Sequence, residues 1–349
     1  MTHLWVRGEQ RADERRTGLT PQGAAALIAA GLQVTVEDSP DRILPTQAYA
    51  AAGCTIATPG SWPQAPQDAI IFGLKELPED GTPLHHTHIM FGHAFKGQAA
   101  GQTLLKRFKA GGGTLLDLEY LTDESGARRA AFGYWAGFAG AAVTLKCWIA
   151  QQSGGLCPPI APFDTASDMT AELRNALSPH APPEALIIGA KGRVGTGAGD
   201  LLAKMGVPVT AWDMAETAHG GPFPEVLDHA LFINCILAGP TTPPFVLADA
   251  PRTARALRVI GDIACDPDSA FNPVQVYDAP TTWQAPATRV HATPPLDVMA
   301  IDNLPSMLPL ESSEDYAAQL LPTLLSLPDD EEGVWARARA TFRDHLDPA

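Results

Sequence analysis

The sequence has little that would tie it to an oxidising compartment, a nucleic acid or a membrane. Its five cysteines (Cys54, Cys147, Cys157, Cys235 and Cys265) are odd in number and never form a Cys-x-x-Cys pair. That argues against a disulfide framework or a zinc cage, and leaves them as small buried hydrophobes in a protein of the reducing cell interior. Basic residues are scarce, 24 Lys and Arg against 39 Asp and Glu, for a net charge of −15. With no run of five or more Lys or Arg, neither a nucleic acid nor an anionic membrane is the expected partner. Arg7, Glu9, Arg11 and Asp13 near the N-terminus do not fit a signal peptide, so a cytoplasmic location is expected. The most apolar stretch, residues 130–145, is rich in Ala and Gly and ends at Lys146. It is too short and small-residued for a membrane span and is expected to be a helix packed tightly between two lobes.

What is present is ordinary globular material: 349 residues, 45% hydrophobic and 18% charged. That length suits two domains with their own cores, and the composition excludes wholesale disorder. The first part alternates apolar strand candidates at 4–6, 32–36, 70–74 and 114–118 with helices at 20–28 and 97–109. Thr20 at a cap and Pro21 at the first helical position mark the start of the first of these helices, and Gly31 its end. Residues 151–183 are rich in Pro and Ser and show no clear strand, with 178–183 reading as a turn. A second α/β series follows: strands at 185–188, 208–212, 231–236 and 258–263, a helix ending at Met205 and Gly206, and C-terminal helices at 312–325 and 334–345. Strands alternating with helices predict an α/β fold with parallel sheets covered on both faces.

The sharpest local signal runs from Gly189 to Gly197, a GxxGxxGxG turn between a strand and a helix. A pyrophosphate needs backbone without Cβ to approach, and a helix N-terminus supplies N–H groups and a positive dipole end. Asp213, at the end of the next strand, stands where a carboxylate meets adenosine ribose hydroxyls and repels a 2′-phosphate, which favours NAD over NADP. A helix N-cap remains the plain alternative for Asp213, and a solvated loop cation for Arg193.

In the first lobe, Lys75 and Glu76 lie just past a strand end, where open α/β sheets bind ligands. Lys75 is a candidate general base with Glu76 tuning it, and a surface Lys-Glu pair is the bland reading. His85, His86, His88 and His93 cluster without the spacing or carboxylate partner of a metal site, so no metal is expected. His93, set among apolar residues, differs from the wetter His85 and His86; it is either a buried core histidine or an acid/base catalyst. Arg16, Arg128 and Arg129 offer forks for carboxylates, or are merely solvated.

Taken together, HLWVRGEQRADERRTGLTP, VEDSP, IIFGLKELPED, HIMFGHAFKGQ, GTLLDLEYL, AAFGYWAGFAGAA, LIIGAKGRVGTGA, WDMAET, FINCI and AIDNLPSMLPLESSE resemble the lysine-forming saccharopine dehydrogenases, in the alanine dehydrogenase-like group. The resemblance runs in order from His3 to about His345. It implies two Rossmann-like lobes with parallel sheets and an interdomain cleft: residues 1–133 plus 305–349 on the substrate side and 134–304 on the NAD side. It implies reversible NAD-dependent cleavage of saccharopine to lysine and 2-oxoglutarate, by a likewise cytoplasmic monomer acting on small molecules. Carried over by motif, Lys75 is the base for the secondary amine and His93 the acid/base for imine hydrolysis, with Glu76 and Glu119 balancing charge around them. Arg16 and Arg128, with Arg11, match substrate-carboxylate positions, and Phe132 lines the site. Gly192, Arg193, Asp213, Thr217 and Ile263 match NAD-contacting positions, as does the segment Ile301, Asp302, Asn303 and Leu304. Departures are Arg11 where fungal members carry lysine, Val194 where they carry a cysteine that could pair with Cys235, Asn303 for histidine, and Ala127 displacing a double arginine to Arg128-Arg129. Rival readings are an opine-type dehydrogenase joining another amine and 2-oxo acid, and a catalytically retired dinucleotide-binding regulator.

Overall fold

The Thr20 hydroxyl accepts the Gly23 N–H at 3.1 Å and Pro21 fills the first turn, so α1 (Pro21–Ala29) starts where a capping hydroxyl and a fixed φ place it. The computed structural model describes residues 1–11, 13–328 and 333–346. The chain divides into two units, one made of Met1–Ala131 with Pro309–Ala349 and the other of Phe132–Leu308.

In the first unit, β1 (His3–Val6), β2 (Gln33–Glu37), β3 (Thr55–Ala57), β4 (Ile70–Phe72), β5 (Thr87–Met90) and β6 (Thr114–Asp117) form one parallel sheet. Its order is β3-β2-β1-β4-β5-β6, so the chain reverses direction of growth between β1 and β4. α2 (Thr46–Ala51) and α3 (Ala99–Gly111) are among the crossover helices. Gly112, left-handed at φ 75°, ends α3, a conformation glycine adopts without steric cost.

β5 is disguised by the residues that lead into it: His85 and His86 precede the strand and His88 lies in it. Three histidines in four residues read as polar, yet His88 is fully buried and His86 nearly so. His86, expected to be wet, instead places Nε2 3.2 Å from the Ala65 carbonyl oxygen. The His88 ring packs edge-on against Trp62 and Phe108, and neither ring nitrogen has a hydrogen-bond partner among the described residues. Burial, and then the charges of Arg7, His86 and Arg107, push its pKa down to about 3. The unfolded chain binds this proton near pH 6.5 and the folded chain does not. The stability held by neutral His88 is therefore complete above about pH 6.5 and is lost as pH falls toward 3. His88→Leu is expected to flatten the fall of Tm between about pH 7 and pH 4 without lowering Tm at neutrality, because the ring leaves no partner behind. An acid-side Tm profile identical to that of the parent protein would contradict this.

The second unit opens with α4 (Gly133–Gln152), buried without interruption from Gly137 to Leu145. α5 (Ala166–Leu177) follows, a helix inside the Pro- and Ser-rich region. Its Thr165 cap accepts the Asp168 N–H, and Met169, Leu173 and Leu177 form its buried stripe. Then come β7 (Ala185–Ile188), α6 (Arg193–Lys204), β8 (Val209–Trp212), α7 (Met214–Thr217), α8 (Pro224–Asp228), β9 (Leu231–Asn234), β10 (Val259–Asp262), β11 (Thr288–His291) and β12 (Leu296–Met299). The sheet order is β11-β12-β10-β9-β7-β8, parallel except for the β11/β12 pair. α4 lies so close to α6 that a Cβ on Gly137 would come within 1.8 Å of the Val194 carbonyl oxygen, and one on Gly197 within 1.9 Å of that of Tyr134. Among the described residues no helix is long and apolar enough to cross a membrane.

The chain then returns to the first unit as α9 (Pro309–Leu325) and α10 (Val334–Leu346). Tyr316 packs against Phe91, Phe342 against Phe108, and the Trp335 indole N–H donates to the Thr323 carbonyl at 2.9 Å.

Candidate active site and dinucleotide site

In open α/β sheets ligands sit beyond the carboxyl ends of the strands, at the point where strand order reverses. In the first unit that point lies between β1 and β4, and the candidate residues follow β1, β4, β5 and β6. Lys75 and Glu76 come after β4 and His93 after β5. The Phe91 N–H donates to the Leu74 carbonyl at 3.0 Å, so the two segments run side by side past the sheet. His93 sits in the left-handed region at φ 48° with its side chain 59% exposed. It is not a core histidine, and strained backbone of this kind concentrates at functional positions.

Glu119 gathers the cations. Its Oε1 takes Lys96 Nζ at 2.8 Å and the Arg128 guanidinium, and its Oε2 lies 3.7 Å from His93 Nδ1. The facing His93, followed by Lys96 and Arg128, outweighs partial burial and holds this carboxyl near a pKa of about 2, so it is ionised at any working pH. Of the two adjacent arginines, Arg128 joins this cluster, whereas Arg129 acts on Asp123. Asp117, raised by burial, accepts the Gly92 N–H through Oδ2 and the Glu119 N–H through Oδ1. It thereby ties the His93 loop to the Glu119 turn. Lys96 and Asp117 were not read from the sequence; an aspartate closing a buried strand was the available signal for the second.

On the β1 side, Arg16 and Glu14 form a buried two-bond pair at 2.8 and 2.6 Å. Burial raises the Glu14 pKa, but the Arg16 bonds and the Lys75 charge outweigh it and the net shift is downward. Glu76 is half exposed and paired with Arg11, at 2.9 Å from Nε and 2.7 Å from Nη2. Burial pushes its carboxyl up, while its own backbone N–H, Arg11 and Lys75 bring it below its ordinary value. The Lys75 ammonium therefore acts on Glu14 and Glu76 together. Among the described residues no three His, Cys, Asp or Glu side chains are arranged to hold a metal ion.

In the second unit the remaining candidates follow β7, β8, β10 and β12. Gly189 turns the chain at φ 84°, and a Cβ on Gly195 would fall 2.1 Å from the Gly189 carbonyl oxygen, so this residue lets helix and turn close. Gly192 is exposed and caps α6 without a side chain, at the helix end whose dipole favours an anion. Asp213 does two things at once: Oδ1 accepts the Met214 N–H as the cap of α7, and Oδ2 accepts the Lys191 N–H at 2.9 Å. Those backbone donors hold its carboxyl below the usual range. The N-cap alternative is real, and it fixes the carboxylate beside the glycine turn, where the hydroxyls of a ribose would be met. This donor set fits a dinucleotide. Thr217 hydrogen-bonds back to the Asp213 carbonyl at 3.0 Å. Ile263 packs with Leu304 against Gly140 of α4. Ile301 and Leu304 are buried, Asp302 is exposed and Asn303 is left-handed at φ 64°. Phe132 stands at the N-cap of α4, and Cys235 is a free thiol.

Residues 5–139 match the family described as alanine dehydrogenase/PNT, N-terminal domain. The chain shares its fold with an L-alanine dehydrogenase, at TM-score 0.69 and 17% identity over 98% of this chain and 94% of that one. A transhydrogenase from Sinorhizobium meliloti gives TM-score 0.67 at 16% identity, over 97% of each chain. That is the class of fold. Sequence similarity is much higher to a saccharopine dehydrogenase [NAD(+), L-lysine-forming] of Yarrowia lipolytica, 43% identical over 98% of this chain and 97% of that protein. The Schizosaccharomyces pombe protein of the same name is 42% identical over 97% of each. The chain belongs to the NAD-dependent, lysine-forming saccharopine dehydrogenase family.

Proposed function

We propose that the protein is an oxidoreductase that cleaves saccharopine, with NAD and water, to L-lysine and 2-oxoglutarate, reversibly. The observation that carries this reading is the alignment of the Lys75 and His93 segments side by side at adjacent strand ends, with anionic Glu119 facing His93. Bound NAD would supply the redox step by accepting hydride from the carbon bearing the secondary amine. Hydride leaves only if that amine is neutral, so Lys75 Nζ removes its proton. His93 then takes a proton from water as it adds to the imine, and returns one to nitrogen as the carbinolamine collapses. Glu119 stays negative throughout and balances His93 as it gains and loses charge. Arg16, Arg128 and Arg11 would meet the substrate carboxylates, and Phe132 would offer an apolar wall. Gly192, Arg193, Asp213, Thr217, Ile263 and the segment Ile301, Asp302, Asn303 and Leu304 would hold the cofactor. By the same resemblance it would act as a cytoplasmic monomer.

The test is loss of NADH absorbance across a panel of amines and 2-oxo acids, repeated with NADPH. Lysine with 2-oxoglutarate is expected to turn over fastest, and NADPH to be a poor substitute because Asp213 repels its extra phosphate. Turnover confined to another pair would replace the substrate by that of an opine-type dehydrogenase. NADH binding without turnover of any pair would overturn the enzyme reading in favour of a retired regulator.

A further inference from the structure

The strand ladder between β1 and β4 ends with the Arg7 N–H donating to the Phe72 carbonyl at 2.9 Å. β1 ends at Val6 and its register with β4 at Phe72, so on that side the peptide groups of Leu74 and Lys75 lie past the ladder. Two side chains take over. Glu9 accepts the Leu74 N–H through Oε1 at 2.6 Å and the Lys75 N–H through Oε2 at 3.0 Å. Arg7 donates through Nη2 to the Lys75 carbonyl, and through Nη1 to Glu9 Oε2 and the Gly8 carbonyl, both at 3.2 Å. The pair is almost dry, with side chains 2% and 9% exposed. Gly73 makes the room, since a Cβ there would lie 2.4 Å from the Arg7 guanidinium. On the other side, the 3.0 Å bonds from Gly73 N to the Ile89 carbonyl and from Phe91 N to the Leu74 carbonyl fix the same segment to β5.

We propose that the buried Arg7–Glu9 pair is the positioning device for Lys75, gripping its peptide N–H and carbonyl so that the ammonium leaves the backbone in one direction. This rests on the reading of Lys75 as the amine base. A lysine side chain reaches about 6 Å from its Cα, so a backbone tilt of about 10° displaces Nζ by about 1 Å, enough to cost on the order of a hundredfold in rate. A buried, bidentate, charge-assisted grip is the geometry that resists such a tilt.

The experiment is a double-mutant cycle of Glu9→Gln with Lys75→Met in the full chain, reading kcat, KM, NADH affinity by fluorescence and Tm. The glutamine amide can accept one of the two N–H groups and must turn a donor toward the other. Glu9→Gln is expected to lower kcat by about 10- to 100-fold, to leave NADH affinity within about twofold, and to add no further loss once Lys75 is already Met. If Glu9→Gln fails to fold, Arg7→Lys enters the same cycle, because an ammonium cannot serve the Lys75 carbonyl and Glu9 as a fork does. A parental kcat in the single variant, or an equal loss with and without Lys75, would overturn the proposal and leave the pair a purely structural one. A parental rate in Lys75→Met alone would instead remove the reading of Lys75 beneath it.

Discussion

A Lys75→Met, His93→Gln double variant is expected to lose about 10³- to 10⁴-fold in kcat while binding NADH within about threefold of the parent. A positioned proton carrier contributes on the order of 10²- to 10⁴-fold. Two carriers serving one sequence of steps do not multiply fully, because losing either already stalls turnover. NADH affinity is spared because the glycine turn, Asp213 and α6 belong to the other unit of the chain. The folded state is spared too: His93 is largely exposed, and in its absence Glu119 keeps Lys96 and Arg128 as partners. A double variant within tenfold of the parent rate would mean the proton carriers lie elsewhere.

The largest effect on stability is expected at the contact of α4 with α6. A Cβ on Gly137 would meet the Val194 carbonyl oxygen at 1.8 Å and the Ala198 nitrogen at 2.9 Å. Both are backbone atoms of a regular helix and have no side-chain rotamer to give. Gly137→Ala must push the helices apart and undo packing along a fully buried stretch, a cost of about 3 kcal/mol or more. For a unit of this size that lowers Tm by about 6–12 °C, and it should weaken NADH binding because α6 carries the glycine turn. Gly199→Ala is the matched control on α6: nothing lies within 4 Å of its Cβ, and alanine is the better helix former by about 1 kcal/mol. It should raise Tm slightly. Equal effects at the two positions in a thermal-unfolding comparison would contradict the close-approach argument.

These variants also mark what can be read along a chain and what cannot. The α1 cap, the glycine turn and the β7–α6–β8 order with Asp213 at its end were legible because each is a local rule acting over a few residues. β5 was not, because three histidines mask a strand whose burial is decided by Trp62 and Phe108, distant in sequence. α5 was hidden by the prolines before it, although Thr165 and Asp168 spell a cap. The roles of Lys75, His93 and Glu119 came through family resemblance. The residues that hold them, Arg7, Glu9 and Asp117, act on backbone groups of neighbouring strands. Glu9 lies 65 and 66 positions from the peptides it grips, a distance no local pattern spans. The expected exposure of His86 was reversed, and the two readings of His93 stayed open, for the same reason: flanking residue types say little about which side of a strand end meets solvent.

The discontinuity of the first unit sets a timetable for the nascent chain. Residues 132–308 leave the ribosome as a finished segment, whereas the first 131 residues must wait for all of them and for the last 41 before α9 and α10 exist to cover their sheet. At about 5–20 residues per second that wait is on the order of ten seconds or more. During it, the surfaces that Tyr316 and Phe342 will cover, around Phe91 and Phe108, face solvent. Chaperone demand during synthesis should therefore fall on the half of the chain that is made first, and C-terminal truncations should damage the N-terminal half while sparing the middle.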